Sequence, residues 1–176
     1  SGPARILWNH RWEHDKRPDR FMRAVTRLET PEFEVVLCSE ERLGGDPARD
    51  AFVSVLGDRL VWNGFADEAS YVELLNSSDI VVSTADHEFF GISVVEAVGA
   101  GCFPVLPNRL SYPELIPTEF HDEVFYAGSD PTPLLESRVS DVESTRDFGH
   151  ILAERMHVHS WQVVAPVYDE VLGRTK

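Results

Sequence analysis

The sequence predicts an α/β protein with a doubly wound, Rossmann-like parallel sheet. Short apolar runs of three to five residues recur along the chain, and each is followed by a segment with helical spacing. The runs are rich in Val, Ile and Leu and lack polar alternation, which is typical of parallel strands that are covered on both faces. Strands that alternate with helices in this way indicate a doubly wound sheet.

Five strand–helix units follow one another along the chain. The predicted strands are 5–8, 35–38, 60–62, 80–83 and 103–106. The helices that follow them are predicted at 20–28, 49–56, 69–75, 92–98 and 112–116. Ligands of such sheets bind beyond the carboxyl ends of the strands, so we expect function in the loops that follow the strands.

The C-terminal part of the chain, 148–176, is predicted to close the domain with two helices. A polar stretch at 137–147 precedes the first of them, which covers 148–156. The second begins at Trp161 and carries one apolar stripe that includes Val164 and Tyr168, with Ser160 as a plausible N-cap.

Length, charge and cysteine content exclude several classes of protein. The chain has 176 residues, with 16 Lys and Arg against 30 Asp and Glu, for a formal net charge of −14. This length fits a single domain over 1–176, and no apolar run approaches the ~20 residues that span a membrane. An acidic surface repels nucleic-acid phosphates, and two distant cysteines fit a reducing compartment. We expect a cytoplasmic domain that binds neither membrane nor, strongly and by itself, nucleic acid.

Two glutamates stand eight residues apart after the fourth predicted strand. Glu88 falls in the loop, and Glu96 falls on the second turn of a helix that starts near Gly91. The amides of Phe90, Gly91 and Ile92 would be unpaired at the helix start, where the helix dipole favours an anion. The loop thus offers carboxylates for hydroxyls and amides for a phosphate, although two solvated surface acids are the simpler alternative.

The loop after the first predicted strand carries two cations, Arg11 and Lys16. Either one alone is usually a solvated loop residue. On the edge of the sheet where Gly91 starts its helix, however, a guanidinium and an ammonium can hold a diphosphate together. The combination of cations, helix amides and carboxylates therefore favours an anionic, hydroxyl-rich ligand such as a nucleotide sugar.

Several strings of the sequence resemble a known family. Arg11 and Lys16, the pair Glu88 and Glu96, and the string 101–105 resemble the C-terminal, nucleotide-sugar-binding domain of the family-4 retaining glycosyltransferases of GT-B fold. The longer strings are similar to the branch of that family that attaches mannose to queuosine in tRNA. They are WNHRWEHDK at 8–16, HEFFG at 87–91 and LPNRLSYPE at 106–114.

The resemblance implies a role for each candidate residue. Arg11 and Lys16 would neutralise the leaving diphosphate, Glu88 would hold hydroxyls of the donor sugar, and Glu96 would hold the ribose. Catalysis would thus depend on Arg11, Lys16 and Glu88, with GDP-mannose as the donor and with no metal or other cofactor. The donor site as a whole would comprise Arg11, Lys16, Glu88, Phe89, Phe90, Gly91, Ile92 and Glu96.

Two positions depart from the pattern of the wider family. His10 stands where glycine is usual, and Phe89 replaces a common glycine, which predicts a tighter pocket. In two-domain members of the family the acceptor site comes mainly from an N-terminal domain. We expect that domain to be missing here, so that the chain is a donor-binding piece, inactive alone, whose tRNA acceptor meets the missing domain.

Other interpretations remain open at this point. One alternative is a non-catalytic nucleotide-binding or interaction module, since fold alone does not establish function. Another is a family member with a different donor and acceptor. The pairs His10/His14 and His157/His159 lack a third ligand at a usable spacing, so we expect no metal site.

Overall fold

The computed structural model describes residues 2–39 and 45–173. Within them six strands form one parallel sheet: β1 (Ala4–Trp8), β2 (Phe33–Cys38), β3 (Leu60–Gly64), β4 (Ile80–Val82), β5 (Phe103–Pro107) and β6 (Phe125–Tyr126). The strand order is β3-β2-β1-β4-β5-β6, and every pairing is parallel. The predicted doubly wound α/β fold is therefore confirmed. The chain reverses its direction of winding between β1 and β4, where such sheets bind ligands.

Helices cover both faces of this sheet. The strands β1, β4 and β5 are therefore buried along almost every residue. The helices are α1 (Pro18–Thr26), α2 (Pro47–Leu56), α3 (Glu68–Ser77), α4 (Ile92–Gly99), α5 (Tyr112–Leu115), α6 (His121–Val124), α7 (Thr132–Ser140), α8 (Val142–Met156) and α9 (Trp161–Gly173).

Aromatic packing fixes the first strand beneath its helix. The ring centroids of Trp8 and Phe21 lie 4.6 Å apart, and those of Phe21 and Phe52 lie 6.0 Å apart. The indole of Trp12 donates a 3.0 Å hydrogen bond to Asp46, which also caps α2 by accepting from the amide of Ala48. The loop after β1 is thereby held against the start of α2.

The sequence-based prediction missed the sixth strand and misread the stretch at 137–147. β6 has only two residues, too few to form an apolar run. The polar stretch contains the end of α7 and the first turns of α8, joined at Asp141, whose carboxylate accepts from the amide of Ser144. α8 therefore starts at Val142 rather than at Phe148. Its first turns lack an apolar pattern because Thr145 is the only buried residue within 142–147.

The last helix forms where it was predicted, but its apolar stripe is largely exposed. Tyr168, Val171 and Leu172 each leave more than half of their surface accessible. The backbone carbonyl of Ser160 accepts the first hydrogen bonds of α9, while its hydroxyl has no hydrogen-bond partner among the described residues and so does not cap the helix. No helix within residues 2–39 and 45–173 is both long and apolar enough to cross a membrane.

Candidate functional site

Two loops meet at the carboxyl end of the sheet, one after β1 and the other after β4. The buried hydroxyl of Thr84 hydrogen-bonds to the carbonyl oxygens of Lys16 and Arg17, at 2.9 and 2.8 Å. The amide of Asp86 donates to the carbonyl of Asp15 at 2.7 Å. Arg17 adopts the left-handed conformation, with φ 55°, between a short 3-10 turn and α1. These bonds bring the predicted cation loop and the predicted glutamate loop together.

Lys16 and Glu88 form an ion pair where the loops touch. The Lys16 ammonium lies 3.1 Å from Glu88 Oε2 and donates to the carbonyl of His87 at 2.7 Å. Asp15 lies 3.5 Å away. Lys16 is only 8% exposed, which is unusual for a lysine and requires partners of this kind. The Lys16 ammonium and the Glu88 carboxylate therefore lie together at the carboxyl end of the sheet.

Arg11 differs from Lys16 in its surroundings. Its side chain is 71% exposed, and its guanidinium lies 3.2 Å from Glu13 in a surface ion pair. Such a pair is held weakly, so the guanidinium can reorient toward a ligand. The structure thus places one cation firmly in the loop and leaves the other at its rim.

A second carboxylate, Asp86, organises three further arginines beside the site. Arg17, Arg20 and Arg109 lie 2.9, 2.6 and 3.0 Å from its oxygens. Burial alone raises the pKa of Asp86, but the hydrogen bonds from Arg17 and Arg20 outweigh it and hold that pKa below its usual value. These arginines therefore brace the loop and are already paired.

Helix α4 begins at Ile92 with Gly91 as its N-cap, close to the start that the sequence predicts. Gly91 has φ 93°, and a Cβ there would lie 3.0 Å from the ring of the buried Tyr112, so the turn requires glycine. The first amides of the helix have no intrahelical acceptor, so they favour an anion at this helix start. Phe89 is fully exposed, and Phe90 and Ile92 are also exposed beside it.

A cavity of about 380 Å³ opens beyond the carboxyl ends of the first three strands, and two of its lining residues, Asn9 and His10, contact Ser93 in the first turn of α4. Its lining residues are Asn9, His10, Arg11, Cys38, Ser39, Phe65, Ala66 and Tyr71. The wall combines apolar surface with a few polar groups, which is typical of small-molecule sites.

Glu96 is connected to two lining residues of this cavity by a chain of hydrogen bonds. Its Oε2 accepts a hydrogen bond from the hydroxyl of Tyr71 at 2.9 Å. The hydroxyl oxygen of Tyr71 in turn accepts from the side-chain amide of Asn9 at 3.1 Å. Burial and the neighbouring Glu96 raise the pKa of Tyr71, so its hydroxyl stays protonated and donates. Asn9 also donates to the carbonyl of Ser93 on α4, at 2.8 Å. The carboxylate of Glu96 is therefore exposed and is oriented by the hydroxyl of Tyr71.

Sequence reasoning missed Asn9 and Tyr71 as parts of the site. Tyr71 lies 25 residues before its partner Glu96, on a different helix, and no local pattern signals that contact. The position of Asn9 at the end of the first strand was the available signal, since loops at that edge were expected to hold the ligand. Among the described residues, no group of three or more side chains is arranged to hold a metal; the side chain of His159 lies outside them.

A family model named "Glycosyl transferases group 1" matches residues 1–137 of the chain. The chain belongs to this glycosyltransferase family. The match extends from β1 into α7 and includes every residue of the predicted donor site.

A curated relative supports the narrower resemblance. The tRNA-queuosine alpha-mannosyltransferase of Drosophila melanogaster is 40% identical over 116 residues, which are 65% of this chain and 31% of that protein. The chain thus spans about a third of the length of that relative.

Solved structures agree with a GT-B glycosyltransferase domain. Sucrose-phosphate synthase from Thermosynechococcus elongatus superimposes with a TM-score of 0.80 at 17% identity, covering 98% of this chain and 45% of that one. HepE of Anabaena, in complex with UDP and glucose, gives a TM-score of 0.76 at 18% identity, with 98% and 49% covered. At these identities the structures establish the fold.

The ion pair between Lys16 and Glu88 yields a test of how tightly this family member holds the two loops together. Lys16→Met should lower the free energy of unfolding by about 3 kcal/mol, because a mostly buried carboxylate loses its partner. The double variant Lys16→Met/Glu88→Gln should recover at least about 1 kcal/mol of that loss. Urea denaturation of the four forms gives the coupling energy.

The pair Arg11 and Glu13 is the matched control. Because it is exposed, the same cycle with Arg11→Met and Glu13→Gln should give a coupling of about 0–1 kcal/mol. Equal coupling in the two cycles would contradict the view that Lys16 and Glu88 are locked together.

Proposed function

We propose that this chain is the donor-binding domain of a retaining glycosyltransferase that moves mannose from GDP-mannose to queuosine in tRNA. The observation that carries the proposal is the cavity at the switch point of the sheet. Its lining residue Tyr71 orients Glu96, and its lining residues Asn9 and His10 contact Ser93 in the first turn of α4. Lys16 and Glu88 form their ion pair where the loops after β1 and β4 meet. The 40% identity to a tRNA-queuosine alpha-mannosyltransferase supports the choice of sugar and acceptor.

The geometry fits the parts of a nucleotide sugar. A ribose offers two adjacent hydroxyls, and Glu96, held by Tyr71, accepts hydrogen bonds from such a pair. The diphosphate lies between Arg11 and Lys16 and receives the first amides of α4, because helix N-termini bind anions. The sugar reaches Glu88, whose carboxylate holds its hydroxyls.

Charge stabilisation is the chemical contribution of this domain. When the glycosidic bond to the nucleotide breaks, negative charge grows on the departing phosphate. Preorganised cations and N–H dipoles stabilise that charge in the transition state, and Lys16 is fixed in advance by its carbonyl and carboxylate partners. With Arg11 and Lys16 in this role, the reaction proceeds without a metal ion. The acceptor then attacks on the face from which the leaving group departs, with retention.

The acceptor binds mainly outside this domain. The chain has a net charge of −14, which opposes the capture of a polyanion, and the arginines near the site are paired with Asp86. We therefore propose that tRNA binds mainly to the rest of the enzyme. The free cysteines Cys38 and Cys102 fit work in the cytoplasm.

A thermal-shift panel tests the donor proposal. GDP-mannose and GDP should raise the melting temperature of this chain more than UDP-glucose or ADP-glucose do, and EDTA should leave the shift unchanged. At a hundred times Kd, binding adds about 2.7 kcal/mol, which corresponds to roughly 5–10 °C for a domain of this size. If only UDP-glucose raises the melting temperature, GDP-mannose is not the donor. If no nucleotide raises it, the chain is better described as a module without transfer activity.

Variants of two glutamates sharpen that panel. Glu96→Ala should weaken GDP binding by about 10- to 100-fold, because a ribose loses a charged acceptor worth about 1.5–3 kcal/mol. Glu154→Ala, on the exposed side of α8, should bind GDP as the unchanged protein does. If isothermal titration gives equal affinities for all three forms, Glu96 is a solvated surface acid.

The division of labour between domains gives a third expectation. This chain alone should transfer no mannose to queuosine-containing tRNA even at saturating GDP-mannose, whereas a form that includes the N-terminal region should be active. Rate depends on holding the acceptor oxygen about 3–3.5 Å from the reacting carbon, and the described residues that face the donor provide no such holder. Mass spectrometry of tRNA nucleosides measures the product, and mannosyl-queuosine formed by this chain alone would contradict the proposal.

A further inference from the structure

His10 is buried at the wall of the donor cavity. It is the second residue after β1 and precedes Arg11, and it is 4% exposed. Its imidazole packs edge-on against Trp8, with ring centroids 5.2 Å apart. Unlike Trp8, it lines the 380 Å³ cavity. A polar ring at such a place must find hydrogen-bond partners or lose free energy.

One of the two ring nitrogens has a partner. Nδ1 lies 3.4 Å from the hydroxyl of Ser93, in the first turn of α4. If that hydroxyl donates, the ring proton resides on Nε2. Nε2 has no hydrogen-bond partner among the described residues, and neither do Asn9 Oδ1 and Ser39 Oγ, two further buried polar atoms of the same cavity. Three unsatisfied polar atoms therefore belong to residues that line one cavity, and each would gain free energy from a further hydrogen-bond partner.

The charges that face His10 come from the two joined loops. Glu88, Lys16 and Asp15 act on the ring, and the other neighbours, Trp8 and Ser93, are uncharged. Burial is the largest influence and lowers the pKa of His10 to about 4. The ring is therefore neutral at physiological pH, with one N–H to offer.

We propose that His10 contacts the donor directly, with Nε2–H donating to a diphosphate oxygen, and that the ring gains a proton from solvent when the diphosphate binds in mildly acidic solution. The proposal rests on the donor function proposed above and adds a third positive or donating group to Arg11 and Lys16. A diphosphate oxygen is the strongest acceptor available to the ring. Its negative charge also favours the imidazolium.

Nitrogen NMR of the unchanged protein reads the contact without any mutation. On addition of GDP-mannose, the Nε2 resonance of His10 should shift while the resonances of the exposed His14 stay in place. GDP-mannose is the suitable probe because its diphosphate carries no terminal group that titrates between pH 5 and 8. An Nε2 resonance that GDP-mannose leaves unmoved would mean that water or an empty space completes the ring, and would overturn the inference.

Two substitutions at His10 separate hydrogen bonding from titration. His10→Gln keeps a donor near Nε2 but cannot titrate, so it should retain most of the affinity and lose its pH dependence. His10→Leu keeps the volume and removes the donor, so it should bind GDP-mannose about tenfold more weakly. His14→Gln is the control and should behave as the unchanged protein.

The affinity for GDP-mannose should increase as the pH falls. Because the diphosphate raises the pKa of the ring from about 4, the affinity of the unchanged protein should rise severalfold as the pH falls from 7.5 to 5.5. A flat profile in the unchanged protein, or an equal rise in His10→Gln, would contradict the proton uptake. If GDP-mannose and the other nucleotide sugars all fail to bind, the donor function itself fails. If GDP-mannose binds with His10→Leu at full strength, only the role of His10 fails.

Discussion

The bond from the Thr84 hydroxyl to the carbonyls of Lys16 and Arg17 is the contact on which the rest of the site depends. Thr84 follows β4, whereas the two carbonyls belong to the loop after β1, so this single side chain joins loops about 70 residues apart in sequence. Once they are joined, the Lys16 ammonium reaches Glu88. The parallel sheet makes the contact possible because β1 and β4 are neighbours whose carboxyl ends lie at one edge.

The site solves an electrostatic problem in a strongly acidic chain. Anionic ligands are repelled by a protein of net charge −14, so positive charge must be concentrated where the ligand binds. Lys16 is buried among its partners, and Arg11 stays at the rim, where it can move. Asp86 holds three arginines in the adjoining scaffold. The amides at the start of α4 add partial positive charge, which does not depend on pH.

Much of the fold could be predicted from the sequence, because central parallel strands leave a continuous apolar signature. β6 could not be predicted, since two residues carry no pattern. α7 was missed because only Leu135 and Val139 of its residues are buried, which is too few for a clear apolar stripe. The candidate residues also came from local strings. The partners that orient them did not: Tyr71 acts on Glu96 from another helix, and the burial of His10 follows from tertiary packing.

The position of the diphosphate is the central claim of this account, and a crystal structure of the chain with GDP-mannose measures it directly. We expect the diphosphate oxygens within hydrogen-bonding distance of Lys16 or Arg11 and of an amide at the start of α4, with the ribose on Glu96. A diphosphate more than about 5 Å from the side chains of both Arg11 and Lys16, beyond any hydrogen bond, would contradict the account.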